Sequence, residues 1–149
     1  MLEEVATTLR PLAEAKGLRF EVIVPATKVF IQTDRRAVSQ ILINLTNNAI
    51  KFTETGSVCI ELRRRMEGEL SKISTEFSVE DTGTGILPEE QMQLFQAFEQ
   101  LDSSSTRRHE GTGLGLYLSQ KLARLLGGRI KFISEYGKGS IFTLGIPKK

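Results

Sequence analysis

The segment from Arg36 to Thr53 constrains the fold of this chain more than any other. Apolar residues recur in it at steps of three, four and seven, the spacing that places side chains on one face of an α-helix. Such a face must pack against a core. The residues of this apolar face are Val38, Ile41, Leu42, Leu45, Ala49 and Phe52.

Three polar residues, Asn44, Asn48 and Lys51, follow one another at helical spacing on a flank of the same segment. An amide oxygen is a neutral, hard ligand of the kind that Mg²⁺ accepts, and a lysine ammonium is a point charge for phosphate. The row therefore suits a phosphate-bound magnesium ion. Taken alone, it fits a solvated polar flank at least as well.

The amino-acid composition limits the classes of protein to which this chain can belong. With 149 residues, 40% of them hydrophobic and 26% charged, the chain is expected to form one soluble domain over residues 1–149. The net charge of +2 is small and the charges are interspersed, so we expect no nucleic acid partner and no direct membrane contact. The lack of a signal peptide or a long apolar run favours a cytoplasmic location. One cysteine and one histidine exclude a disulfide and a cluster of such ligands around a metal.

The order of predicted elements is helix, strands, helix, hairpin, helix, helix, strands. This order is typical of an α+β fold in which a mixed sheet carries its helices on one face. The predicted helices are 2–16, the segment after Asp34, a short helix from Pro88 and a last helix after Gly111, and the predicted strands are 19–24, 29–32, a hairpin from Val58 to Asp81, 129–134 and 140–146. The predicted buried stripes of the first and last helices are Leu2, Val5, Leu9 and Leu12, and Leu114, Leu118, Leu122 and Leu125.

Asp81 lies where a strand ends and a glycine-rich turn begins. Gly83 and Gly85 allow positive φ and leave room for a flat group beside the backbone. A buried carboxylate there can accept a hydrogen bond from an exocyclic amine such as that of adenine. A plain Asp-Gly turn and half of an aspartic protease site are the alternatives, and the protease needs a second such aspartate.

A second glycine run, from Gly111 to Leu116, opens the last predicted helix. The unpaired N–H groups at such a helix start favour a phosphate. No Gly-Lys-Ser/Thr follows, so the run is not a P-loop, and Leu116 occupies the third glycine position of the dinucleotide fingerprint. A simple glycine-containing helix start stays open as the alternative.

The preceding residues, 101–110, have no apolar period and are predicted to form a mobile loop. Arg107 or Arg108 in this loop can reach a terminal phosphate if the loop closes as a lid. His109, a single histidine in a polar segment, is expected to be solvated.

Together these stretches resemble the ATP-binding catalytic domain of bacterial sensor histidine kinases, which shares its nucleotide fold with DNA gyrase, Hsp90 and MutL. The similarity spans the whole chain, and four motifs come in the family's order. They are the asparagine motif Asn44–Thr53, the first glycine motif Asp81–Ile86, the phenylalanine motif Phe95–Phe98 and the second glycine motif Gly111–Leu116. The sequence after Glu99 is most similar to hybrid or phytochrome-type kinases.

The resemblance implies an α+β two-layer sandwich with a mixed, five-stranded sheet under three main helices, and it implies ATP and Mg²⁺ as ligands. It implies that Asn48 ligates Mg²⁺ with help from Asn44, that Lys51 meets the phosphates, and that Asp81 takes the adenine amine with Thr143 behind it. The other implied ATP-binding residues are Gly83, Gly85, Ile86, Phe98, Arg107, Gly111, Thr112, Gly113, Leu114 and Gly115.

Gyrase-like relatives carry a glutamate, a possible general base, one helical turn before the metal asparagine, where this chain has Asn44. We therefore expect slow hydrolysis and transfer of the γ-phosphoryl group to an external acceptor. The resemblance implies that the acceptor is a histidine of a separate helical dimerisation domain and that a response regulator receiver domain lies downstream. A degenerate partner-docking module and an anti-sigma-type serine kinase are the alternatives.

Overall fold

The computed structural model describes residues 1–29, 31–67, 72–99 and 112–147, and within them it forms a five-stranded sheet with four helices. This confirms the predicted α+β sandwich. No helix within these ranges is both long enough and apolar enough to cross a membrane. The helices are α1 (Leu2–Ala15), α2 (Arg35–Lys51), α3 (Pro88–Glu99) and α4 (Thr112–Leu125), and the strands are β1 (Arg19–Ile23), β2 (Ser57–Glu67), β3 (Lys72–Asp81), β4 (Arg129–Glu135) and β5 (Gly139–Pro147).

The sheet is mixed, with the strand order β1-β2-β3-β5-β4. β1 pairs with β2 in parallel, and every other pair is antiparallel. Side chains alternate between the two faces of a strand. One face packs under the helices and carries buried residues such as Val58, Val79 and Leu144. We call the opposite face, which carries Glu61 and Lys131, the open face.

Helix α2 forms the centre of the core, as its apolar period predicts. Five residues of the predicted apolar face are at most 5% exposed: Val38, Ile41, Leu42, Leu45 and Ala49. The sixth, Phe52, is 43% exposed. The helix ends at Lys51, so Phe52 has left the helical period and serves as the C-cap residue.

Two predictions in the first third of the chain were wrong. Residues 29, 31 and 32 form no strand, and Phe30 lies outside the described residues. Ile31 packs against the core without pairing to the sheet. In α1, Leu12 is 51% exposed whereas Ala13 is fully buried. The helical period from Leu2 through Leu9 places position 13, not position 12, on the buried face.

The predicted buried stripe of the last helix was wrong at two positions, whereas Leu122 packs against the core as predicted. Leu118 is 46% exposed and Leu125 is 77% exposed, whereas Ser119 and Gln120 are buried. The Gln120 side chain accepts a hydrogen bond from the backbone N–H of Ile130 (2.8 Å) and donates one to its carbonyl (3.3 Å). A polar residue can occupy a buried helix face when it has such partners. Gln120 thereby satisfies two backbone groups of the edge strand β4.

Candidate functional site

Helix α2 carries the asparagine motif and is fixed at both ends. At its start, the Asp34 carboxylate accepts hydrogen bonds from the backbone N–H groups of Arg36 (2.9 Å) and Ala37 (3.2 Å), which is an N-cap. At its end, the Lys16 ammonium donates to the carbonyls of Ile50 (2.9 Å) and Lys51 (3.3 Å). A cation at a helix C-terminus also interacts favourably with the helix dipole. The polar row therefore stands on a helix of defined position.

The three residues of the polar row have different surroundings. Asn44 donates through its side-chain nitrogen to the hydroxyl of Ser119 in α4 (3.1 Å) and accepts from Gln40 (3.2 Å). Asn48, which is half-buried, forms no side-chain hydrogen bond with any residue that the structure describes. Lys51 is exposed, with its ammonium 5.7 Å from the centre of the Phe52 ring. Asn48 thus has the amide oxygen available for a cation, while Asn44 is held by its neighbours.

Asp81 is buried at the end of β3, with 7% of its surface exposed. One carboxylate oxygen accepts a hydrogen bond from the backbone N–H of Gly83 (2.9 Å). Burial raises the pKa of Asp81 above its usual value, the N–H groups of Gly83 and Ser140 oppose that rise, and the charge of Glu80 adds to it. Asp81 is thus a partly desolvated acceptor held in one orientation by the turn that follows it.

The glycine turn after Asp81 packs against the end of α2. A Cβ atom on Gly83 would overlap the carbonyl oxygen of Phe52 and would lie 2.9 Å from the hydroxyl of Thr53. The Thr84 N–H donates to the same Phe52 carbonyl (3.3 Å). Only glycine fits at position 83 without displacing the helix end. The contact brings Asp81 close to the end of the helix that carries Asn48 and Lys51.

The hairpin between β4 and β5 holds the other side of the turn. Gly85 has φ +72°, and a Cβ atom there would overlap the carbonyl oxygen of Glu135. The Ile86 N–H donates to the hydroxyl of Ser134 (2.8 Å), and the Gly137 N–H donates to the Thr84 carbonyl (2.6 Å). The first glycine motif is therefore fixed between α2 and this hairpin.

The structure corrects the expected position of Thr143. In the sheet register, the residue opposite Asp81 on β5 is Ser140, and Thr143 lies opposite Ser78. The hydroxyls of Thr143 and Ser78 are 3.1 Å apart, and both residues point to the open face. Ser140, which is buried, is the residue that sequence reasoning missed. The alternation of Phe142, Leu144 and Ile146 is the signal that could have identified it.

Helix α4 begins at Thr112, so residues 112–115 of the second glycine motif form its first turn, as predicted. Gly115 lies in this turn, and a Cβ atom there would meet no atom within 4 Å. The bond from Asn44 to Ser119 ties α4 to the middle of α2. Gly111, Arg107 and the rest of the 101–110 loop lie outside the described residues, as do the side chains of Phe98, Thr112 and Leu114.

Asn48 therefore lies one helical turn after a contact with α4 and one turn before the contact with the glycine turn. By the rise of an α-helix, these contacts at positions 44 and 52 are about 12 Å apart along the axis. The amide row of α2, the buried acid Asp81 and the glycine-containing first turn of α4 thus belong to the helical side of one mixed sheet in an α+β domain.

The sequence pattern of one protein family, "Histidine kinase-, DNA gyrase B-, and HSP90-like ATPase", matches residues 33–149. The chain belongs to this family. This confirms the resemblance that the four motifs predict.

Within this family, the chain is similar in sequence to histidine kinases. It is 42% identical over 146 residues to the signal transduction histidine-protein kinase BarA of Escherichia coli (strain K12), which covers 97% of this chain and 16% of BarA. It is 40% identical over 133 residues to the hybrid signal transduction histidine kinase B of Dictyostelium discoideum, covering 89% of this chain and 7% of that protein. The chain thus spans a sixth or less of the length of these relatives.

Among solved structures, full-length ShkA in complex with AMPPNP superimposes with a TM-score of 0.78. The identity is 32%, and the match covers 97% of this chain and 28% of ShkA. The similarity again extends over nearly the whole chain and over a minor part of the larger protein.

Proposed function

We propose that this chain is the Mg·ATP-binding catalytic domain of a two-component sensor histidine kinase. It presents the γ-phosphoryl group of ATP to a histidine on a separate, helical dimerisation domain in the cytoplasm, and a response regulator receiver domain accepts the phosphoryl group afterwards. One observation carries the proposal: the glycine turn after Asp81 contacts the carbonyl of Phe52. This contact holds Asp81 close to the end of the helix that carries the asparagine row.

The residues fit the nucleotide in chemistry as well as in position. Asp81 is a desolvated acceptor, which suits the exocyclic amine of adenine because a buried donor needs a partner. The side-chain nitrogen of Asn44 donates a hydrogen bond to Ser119, so the role of Asn44 is to position Asn48. Lys51 is exposed at the end of the same row and can reach a phosphate.

Asn48 offers the one amide oxygen of the row that has no partner among the described residues, which fits a hard cation. When bound, Mg²⁺ would neutralise charge on the phosphates. The first-turn N–H groups of α4 are unpaired by helix geometry and favour the phosphate tail. Gly111, Thr112, Gly113, Leu114 and Gly115 belong to this phosphate-binding segment, and Gly83, Gly85 and Ile86 border the adenine.

This chain is suited to holding ATP without hydrolysing it. An amide such as that of Asn44 has no useful basicity, so no residue of the row can activate water as a carboxylate would. Catalysis then depends on positioning and charge compensation, and the nucleophile is the imidazole of the acceptor domain. The side chain of Phe98 and the residue Arg107, which the structure does not describe, are expected to complete the site. The names of BarA and the hybrid kinase support transfer to histidine.

Isothermal titration calorimetry with AMPPNP, in the presence and absence of Mg²⁺, tests the binding step. We expect Mg²⁺-dependent binding with one site per chain. No heat at nucleotide concentrations of about 1 mM would instead support a degenerate partner-docking module.

Phosphotransfer requires a second assay, in which the chain is mixed with the helical dimerisation domain of a sensor kinase and radiolabelled ATP. We expect an acid-labile, alkali-stable phosphate on the helical domain and none on the chain alone. An acid-stable phosphate on serine would support the serine kinase of the same superfamily and contradict our proposal. A helical domain whose acceptor histidine is replaced by glutamine is the control.

A further inference from the structure

A cavity of about 260 Å³ lies on the open face of the sheet, between β3, β5 and β4. Its floor is Gly145, and a Cβ atom on this residue would meet no atom within 4 Å. The register places Gly145 between Glu76 of β3 and Arg129 of β4. The absence of a side chain at position 145 therefore leaves a space between two charged residues.

The acid at this cavity is already neutralised from its other side. Glu76 is only 7% exposed, and it pairs with Arg63 (3.1 Å) and Arg65 (3.6 Å), which extend from β2. The arginine side chains are about half exposed, but the Glu76 side chain is only 10% exposed, and a buried carboxylate is costly without a paired cation. Glu76 consequently attracts little further positive charge from a ligand.

The cations on the opposite wall have no such partner among the residues that the structure describes. Arg129 and Lys131 line the cavity from β4, both are exposed, and neither forms an ion pair with a residue that the structure describes. A guanidinium offers paired N–H donors that match the two oxygens of a carboxylate, and a neighbouring ammonium adds a third donor. The uncompensated charge at the cavity is therefore positive.

We propose that this cavity is a docking site for an acidic segment of a partner protein, which inserts an aspartate or glutamate over Gly145 to pair with Arg129 and Lys131. The cavity is smaller than the roughly 300–1,000 Å³ of small-molecule sites, which suits one side chain better than a whole ligand. The site is separate from the nucleotide site, because Asp81 points to the helical face.

A nucleic acid or a membrane fits this face less well than an acidic protein segment. Both would need a broad positive surface. On the open face, Glu21, Glu61 and Glu80 lie around Cys59 of β2. Arg63 and Arg65 lie on the same face, but they pair with Glu76. Arg129 and Lys131 therefore form a small positive group on β4, which matches a short acidic stretch.

The test titrates a short polyglutamate peptide into the ¹⁵N-labelled 149-residue chain at about 50 mM salt and follows the amide resonances. We expect saturable shifts confined to the amides of Lys131, Thr143, Gly145 and their neighbours. The double variant Arg129→Glu/Lys131→Glu should weaken the affinity by about tenfold or more. Arg19→Glu, which changes an exposed arginine on the opposite edge strand, is the matched control and should bind like the parent.

The variant Gly145→Val tests whether the peptide enters the cavity or is only attracted by the surrounding positive charge. It fills the cavity and leaves every charged residue in place. Valine suits a strand, so the thermal stability should be equal or higher, while the affinity for the peptide falls by about tenfold. Undiminished binding to this variant, or an equal loss in Arg19→Glu, would overturn the proposal. So would equal shifts from inorganic phosphate or from phosphatidylserine vesicles, which would assign the cavity to phosphate ligands.

Discussion

Replacing Asp81 with asparagine would remove the charge from the end of β3 and keep an oxygen in place for the Gly83 N–H (2.9 Å). A hydrogen bond to a charged acceptor contributes about 1.5–3 kcal/mol, so its loss to the adenine amine should raise the Kd for AMPPNP by about 10- to 150-fold. The asparagine amide also presents a donor where adenine presents one. Binding should therefore fall well beyond the error of a titration.

The same substitution should leave the fold intact, and the pH dependence of stability reveals why. Burial raises the pKa of Asp81 in the folded state, so the folded chain holds this proton more tightly than the unfolded chain. The resulting stability is fully present below the unfolded pKa of about 3.9 and is lost as the pH rises through the folded pKa. Asp81→Asn removes this dependence. At neutral pH the variant should be as stable as the parent or more stable.

Thermal unfolding of the two chains at about pH 3.5 and pH 8, below and above the titration of Asp81, and calorimetric titration at about pH 8 check both expectations. The difference in Tm should move in favour of Asp81→Asn as the pH rises. Glu80→Gln, which alters the exposed neighbour on the open face, is the control and should bind AMPPNP normally. A variant that unfolds cooperatively and binds AMPPNP within about threefold of the parent would refute the role of Asp81.

Three further changes test the site and its support. Asn48→Ala should weaken AMPPNP binding in the presence of Mg²⁺ by about tenfold or more and leave Mg²⁺-free binding nearly unchanged, as measured by titration at both conditions. Gly83→Ala should lower the stability by about 1–3 kcal/mol in urea unfolding because its Cβ overlaps the end of α2, whereas Gly145→Ala, with open space, should not. Gln120→Leu should lower the free energy of unfolding by about 2–4 kcal/mol in the same assay, because it removes the hydrogen-bond partner of the Ile130 N–H and carbonyl.

The sequence pattern predicts most of the buried face of α2, because its burial largely follows hydrophobicity, with the fully buried Thr46 as an exception. Val38, Ile41 and Leu45 repeat at the helical period, and all three are buried. The same rule fails in α4, where Gln120 is buried because of its two bonds to Ile130. Those bonds join residues ten positions apart and depend on where β4 lies against the helix, which a periodicity does not encode.

In the candidate site too, local sequence predicts the turn but not the contacts between residues that are distant in the chain. Asp81, Gly83 and Gly85 occupy alternate positions of one short segment, and their spacing alone predicts a tight, glycine-dependent turn. Which residue faces Asp81 across the sheet depends on the register of β3 against β5, and the structure selects Ser140 in place of Thr143. The bond from Asn44 to Ser119 spans 75 positions and lies beyond any local pattern.

Helix α2 serves the core and the candidate site with different faces, and this division has an experimental consequence. Its apolar face has no exposed surface at Ile41 or Leu42, so a substitution there creates a cavity that costs the whole fold, typically 2–5 kcal/mol for a change to alanine. Its polar flank carries the half-buried Asn48, which has no side-chain hydrogen bond with any described residue, so a substitution there breaks no such bond and removes less packing than one in the core. Loss of nucleotide binding is thus informative about the site only for flank variants, because a core variant would lose binding by unfolding.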